Sequence, residues 1–185
     1  MSEPVKVNVV SYGGVKPGQL VVGNGADGTK TTLFDAATST AGDYMFYGCT
    51  GLTSWDVALP NLTNGTSMFS SCTGLTSWTV ELPELTNGDN MFNYAGLNSW
   101  TVELPKLTSG SSMFIGCALS AGSVKLLLNS IPDRAAAGLS VASLHIGSRA
   151  SFKTDPDVKA LLGETGDEIT AKTYICKGWN VTVQN

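Results

Sequence analysis

Charge is what this sequence has least of. Lysine plus arginine number 11 and aspartate plus glutamate 15, so charged residues are 14% of 185, where about 25% is ordinary. The net charge of −4 offers no basic footprint for nucleic acid and no polybasic patch for a lipid surface. A single histidine, His145, removes most histidine-based catalytic and metal constellations. The four cysteines form no C-x-x-C pair, which argues against a zinc set. No apolar run approaches the ~18–20 residues of a membrane span, and the opening residues lack a basic stretch followed by an apolar one, so no secretion signal is expected. What remains is a folding composition, 42% hydrophobic with 21 glycines, and a length that suits one domain.

What is present is a repeat. Met-Phe pairs begin at Met45, Met68, Met91 and Met113, spaced 23, 23 and 22 residues apart. Trp55, Trp78 and Trp100 correspond, as do Pro60, Pro83 and Pro105, and Leu62, Leu85 and Leu107. A worn first unit is expected over 32–43, because terminal repeats differ from internal ones. Trp-x-Val-x-Leu alternates with period two, which predicts a short strand with Trp78, Val80 and Leu82 inward and Thr79 and Glu81 outward. Pro83 stops it, since proline cannot donate to a ladder. Asn87-Gly88 and its counterparts predict a turn, and the Met-Phe segment a short 3₁₀ or single-turn piece. Ordering one such unit costs ~1–2 kcal/mol per residue in backbone entropy, more than its own burial returns. Several units must share a core, and the architecture expected is a solenoid.

The run Met68-Phe-Ser-Ser-Cys-Thr-Gly-Leu-Thr-Ser-Trp78, the pair Leu82-Pro83 and their equivalents over 45–119 resemble the BspA-type leucine-rich-repeat family. That resemblance implies a leucine-rich-repeat solenoid, a right-handed β/α superhelix with short parallel strands, common in bacterial surface proteins that bind host or neighbour molecules. It implies no enzyme activity.

The flanks are expected to complete one continuous structural domain: an N-terminal β segment over 1–23, repeats over 24–119 and a C-terminal α/β cap over 120–185. Val5–Val10 and Gln19–Val22 read as two strands of a hairpin that covers the first coil's open edge, or as a strand that exchanges with another subunit. Val124–Ile131 has helical spacing and stops at Pro132. Val141–Ile146 and Trp179–Gln184 alternate as strands. Thr154-Asp-Pro-Asp starts a helix with proline at its first position, and Thr165-Gly-Asp-Glu168 has the form of a capping box opening a second helical piece.

Chemistry is weighed against plainer readings. Gly23-Asn-Gly-Ala-Asp-Gly28 matches G-x-G-x-x-G, but a β-branched run follows where a dinucleotide site needs a helix, so a turn is favoured. Cys49, Cys72 and Cys117 share one repeat slot with Ala95, which suits small apolar filler; a Cys49–Cys72 disulfide stays open if adjacent coils bring the two together. The Trp column is read as core rather than as a sugar-stacking ladder. Outward positions Asp56, Thr79, Glu81, Thr101 and Glu103 form the candidate binding face. Glu81 and Glu103 at one strand spacing have the separation of a retaining glycosidase pair, yet no cleft or aromatic set accompanies them.

The expectation is therefore a non-catalytic binding or adhesion module that contacts a protein or glycan through the solenoid surface, with no metal, no cofactor, no nucleic acid and no membrane insertion. Self-association through the N-terminal β segment is allowed. The alternative is a structural or receptor-binding component of a phage particle or similar bacterial assembly. Location stays open between the cell surface, for a mature form, and a phage particle or the cytoplasm.

Overall fold

A computed structural model describes residues 19–24, 29–147, 152–170 and 172–184, with side-chain surroundings for those between 35 and 183. The described residues open on an antiparallel pair, β1 (Gln19–Asn24) and β2 (Thr29–Asp35). The strand expected at Gln19–Val22 thus pairs with the segment after the glycine motif. Its expected partner Val5–Val10 lies outside the described residues. Because Thr29 onward is strand, the glycine motif lacks the helix N-terminus on which a pyrophosphate would sit.

From Thr40 the repeats stack in register. Parallel bridges join Ala41 to Asn64, Asn64 to Asn87 and Asn87 to Ser109. The hydrogen bonds between repeats are concentrated in the Met-Phe turns. Gly42, Tyr44, Phe46 and Gly48 donate their N–H groups to the carbonyls of Asn64, Thr66, Met68 and Ser70 at 2.8–2.9 Å. The residues between them donate backwards within their own turn: Met45 to Gly42, Tyr47 to Tyr44 and Cys49 to Phe46. The next two turns repeat the scheme, from Gly65, Ser67, Phe69 and Ser71 and then from Gly88, Asn90, Phe92 and Tyr94. This alternation needs a left-handed residue before each methionine and another three after it. Tyr44, Ser67, Asn90 and Ser112 (φ 54–57°) fill the first place, and Gly48, Ser71, Tyr94 and Gly116 (φ 53–76°) the second. For a residue with a Cβ that conformation costs roughly 1–2 kcal/mol, offset here by the full pairing of backbone groups.

The position of the ladder corrects the sequence reading. Two of the three Trp segments form strands, of only two residues each, β3 (Ser77–Trp78) and β4 (Ser99–Trp100), paired in parallel, and the segment at Trp55 forms none. The reason is local. Each indole Nε1–H donates to the carbonyl two residues on: Trp55 to Val57, Trp78 to Val80 and Trp100 to Val102, at 2.6–2.8 Å. That carbonyl is one a continuing strand would need.

Inside, Phe46, Phe69, Phe92 and Phe114 stack nearly parallel, with centroids 5.3, 5.7 and 5.9 Å apart. Trp78 and Trp100 lie against this column edge-on or tilted, at 4.8–5.4 Å, a favourable aromatic geometry. Trp78, Leu82 and Leu104 are fully buried, Trp100 and Val102 nearly so, while Val80 is half-buried. The glycines at 42, 65 and 88 are set by close approach: a Cβ on them would stand 2.6–2.8 Å from the sulfur of Met68, Met91 and Met113 in the following repeat.

The last Met-Phe segment is a true strand, β5 (Gly110–Phe114). It heads a four-stranded sheet with β6 (Ala142–Gly147), β7 (Thr173–Cys176) and β8 (Trp179–Gln184), in the order β5-β6-β8-β7, parallel except for β7. Helix α1 (Ala121–Ser130) takes the place of a further Trp segment. A helix offers no ladder carbonyls, and its serines substitute. Ser123 Oγ accepts from Trp100 N (2.9 Å) and Ser130 Oγ from Leu104 N (3.3 Å). Helix α2 (Pro156–Leu162) starts at Asp155, whose carboxylate caps Asp157 N and Val158 N, and ends at the left-handed Gly163. The expected helix from Thr165 does not form. Residues 164–170 are bends and extended chain, with Glu164 Oε1 accepting from Gly166 N at 2.8 Å. Strand β7 had no counterpart in the sequence reading; it turns into β8 through Lys177-Gly178, both at positive φ (49° and 75°), as a two-residue hairpin requires.

Burial separates the two sides of the Trp segment. Trp78→Ala is expected to cost about 3–5 kcal/mol and Leu82→Ala about 2–5 kcal/mol, whereas Thr79→Ala should stay within ~0.5 kcal/mol. Chemical denaturation of the three variants measures the contrast, and an unmoved midpoint for Trp78→Ala would contradict the buried column.

Candidate functional site

The outward positions of the Trp segments are where the sequence placed a binding face. Asp56, Thr79 and Thr101 occupy one repeat position, and Glu81 and Glu103 another. All five are exposed. Thr101 N donates to Trp78 O at 3.3 Å, which sets Thr79 and Thr101 side by side. Among the described residues no ion pair involves Asp56, Glu81 or Glu103. These carboxylates stand on an open surface facing water, and the groups that would orient a sugar for hydrolysis do not gather around them.

A second surface, missed by the sequence reading, lies on the outside of the Met-Phe turns. Tyr44, Tyr47 and Tyr94 are 61%, 57% and 61% exposed. Tyr44 and Tyr47 stand with ring centroids 6.0 Å apart and planes at 48°. The signal was available as a departure from the repeat: the same positions elsewhere hold Ser, Asn, Gly or Ile. Beside them runs a polar column already committed to structure. Asn64 Oδ1 accepts from Thr66, and its Nδ2 donates to Asp43 at 2.8 Å. Asn87 Oδ1 accepts from Asp89 N, and Asp89 in turn accepts from Ser109 Oγ and Ser111 N.

His145 has a structural task. Between Gly110 and Phe114 the register of β5 on β6 shifts, which leaves Ser112 N without a backbone carbonyl opposite. His145 Nδ1 accepts from it at 3.0 Å. The proton of the neutral ring is thereby assigned to Nε2.

All four cysteines are free thiols. Cys72 and Cys117 donate to Phe46 O and Phe92 O at 3.1 Å, and burial pushes both thiols up to about 12. Neither is a nucleophile at neutral pH. Phe46 O accepts from both Cys49 N and the Cys72 thiol.

The C-terminal acids are paired. Lys125 lies 3.1 Å from Asp157 and 3.7 Å from Asp155. Glu164, with its side chain only 9% exposed, meets Lys172 at 2.8 Å and Tyr174 Oη at 2.9 Å. The Lys172, Gly166 and Tyr174 hydrogen bonds hold its carboxyl at about 2. Among the described residues no group of three His, Cys, Asp or Glu side chains can hold a metal ion, and no helix is long and apolar enough to cross a membrane. Compared with protein-family models, curated proteins and solved structures, the chain matches none.

Two measurements follow from these environments. A soluble thiol reagent at neutral pH should modify exposed Cys49 first and reach Cys72 and Cys117 only on unfolding, as read by peptide mass after timed labelling. Glu164 is depressed from 4.5 to about 2, so its contribution is complete above the higher value and is lost as pH falls towards the lower. The stability of Glu164→Gln should therefore lie below that of the parent at pH 6 and converge on it near pH 2 in parallel acid-denaturation curves.

Proposed function

We propose that this chain is a non-catalytic binding or adhesion module, a leucine-rich-repeat solenoid that contacts a protein or glycan with the outer side of its stacked repeats. The observation that carries the reading is the in-register stacking from Ala41 to Ser109, which sets equivalent outward side chains one ladder step apart, roughly 4.7–4.9 Å. Regular, rigid and solvent-facing positions of this kind suit recognition of an extended partner. Its resemblance to BspA-type repeats points the same way. The groups best placed for chemistry are engaged elsewhere: thiols on carbonyls, His145 on Ser112, and Glu164 on Lys172.

A second reading, a structural or receptor-binding component of a phage particle or similar assembly, draws support from the sheet edge. Strand β7 ends the order β5-β6-β8-β7 and carries Ile175, 76% exposed, a place where a neighbouring chain can dock.

The full chain, immobilised and probed with a glycan array and an array of bacterial and host surface proteins, is expected to show saturable binding without turnover. Hydrolysis of any arrayed glycan that disappears in Glu81→Gln would replace this reading with a hydrolase. Stable self-assembly in sedimentation, abolished by Ile175→Lys, would favour the assembly component.

A further inference from the structure

The outside of the Met-Phe turns is shaped as a trough. At one position three successive repeats hold Tyr44, Ser67 and Asn90, and at another Tyr47, Ser70 and Asn93. Tyr44 and Tyr47 are mostly exposed, Ser67 and Ser70 are 5% exposed, and the asparagines are intermediate. A serine is this buried, at a place where its equivalents reach solvent, when taller neighbours stand over it. The middle repeat is therefore the floor, and Tyr44 and Tyr47 form one wall. Tyr94 forms the other. Its ring lies over Gly116, where a Cβ would come 2.5 Å from Cδ1, so the next repeat supports the ring from behind.

The backbone positions that carry the walls stand two ladder steps apart, roughly 9–10 Å, and the Tyr94 ring leans further out, over Gly116 of the next repeat. No charged side chain stands at the Tyr44, Ser67, Asn90 or the Tyr47, Ser70, Asn93 positions; the carboxylates of Asp43 and Asp89, in the polar column beside them, accept from Asn64 and from Ser109 and Ser111. The trough's own polar groups are neutral: Ser70 Oγ donates to Asn93 O, and Asn93 Nδ2 donates to Asn90 Oδ1 and Ser112 O, which leaves the side-chain amide oxygen of Asn93, Oδ1, as an acceptor. Exposed tyrosine rings offer an apolar face and a hydroxyl tip.

From this arrangement we infer that the trough binds a neutral oligosaccharide, with sugar rings laid on Tyr44 or Tyr47 and on Tyr94, and their hydroxyls meeting the serine and asparagine groups between. A sugar ring has an apolar C–H face and a polar rim, which matches an aromatic wall beside an uncharged polar floor. A monosaccharide cannot touch both walls; a chain of two or more rings can. An acidic peptide would find no counter-charge here, and the two carboxylates beside the trough, Asp43 and Asp89, are already engaged by Asn64, Ser109 and Ser111. The inference rests on the binding reading above, and it moves the contact from the Trp-segment face to the turn face.

The test is calorimetric titration of the full chain with cello-, malto-, xylo- and chito-oligosaccharides from disaccharide to hexasaccharide, with glucose and N-acetylglucosamine as single-ring probes. At least one series should bind, more tightly with length, while the monosaccharides do not. Tyr44→Ser and Tyr94→Ser should each weaken binding roughly tenfold or more, and Tyr→Phe at either site should largely preserve it. Serine already occupies the same left-handed positions at Ser67, Ser71 and Ser112, so melting temperatures should be unchanged and a loss can be assigned to the ring. No binding in any series, or binding undiminished in the double serine variant, would overturn the inference. Binding lost in Glu81→Gln with Glu103→Gln, and kept in the serine variants, would also overturn it while leaving the proposed function standing.

Discussion

Everything in the repeat region depends on how each Met-Phe turn divides its backbone N–H groups. Alternate groups close the turn on itself, and the others reach the next repeat. That division requires the chain to pass through the left-handed region twice per unit, before the methionine and three residues after it. Once those two residues are in place, the phenylalanines fall on one line and stack, and the methionine sulfurs settle on the preceding repeat's glycines. The slot holding Cys72 and Cys117 then lies where a thiol can reach a carbonyl. The aromatic core follows from the turn hydrogen bonds, and the Trp segments are packed onto it.

The C-terminal part answers a problem that the repeats create. A stacked array ends on unsatisfied N–H groups, which are costly if buried. Three different side chains supply the missing acceptors: Ser123 and Ser130 from α1, and His145 from β6. The lone histidine is thus accounted for by pairing, and the helix by its serines as well as by its apolar face.

Much of this was legible in the chain itself. The Met-Phe period located the repeats, and period-two alternation put Trp78 and Leu82 inside. Pro132 and the Asp155-Pro156 start marked the two helices. What was not legible had physical causes. Alternation in Trp-x-Val-x-Leu suggested a ladder strand, because sequence cannot show an indole turning back onto the Val80 carbonyl. Thr165-Gly-Asp-Glu168 had the form of a helix start, but Glu164 beside it is bonded to Gly166, Lys172 and Tyr174. The five outward residues are exposed as expected, whereas the tyrosines were passed over. A search for what repeats does not notice what departs from the repeat.

The turn hydrogen bonds also run in one direction. Each Met-Phe turn gives its inter-repeat N–H groups to the repeat that follows and offers its carbonyls to the one before, so the bond dipoles in this strip add, unlike the alternating dipoles of an ordinary sheet. The two ends of the strip are chemically unlike, one a row of acceptors and the other a row of donors. Like ends brought together about a two-fold axis would set carbonyl against carbonyl or N–H against N–H. Only a head-to-tail join satisfies both rows, and a join of that kind lengthens without closing unless its rotation makes a ring. By occupying the donor row, β6 and His145 turn a surface that could propagate from molecule to molecule into a finite object.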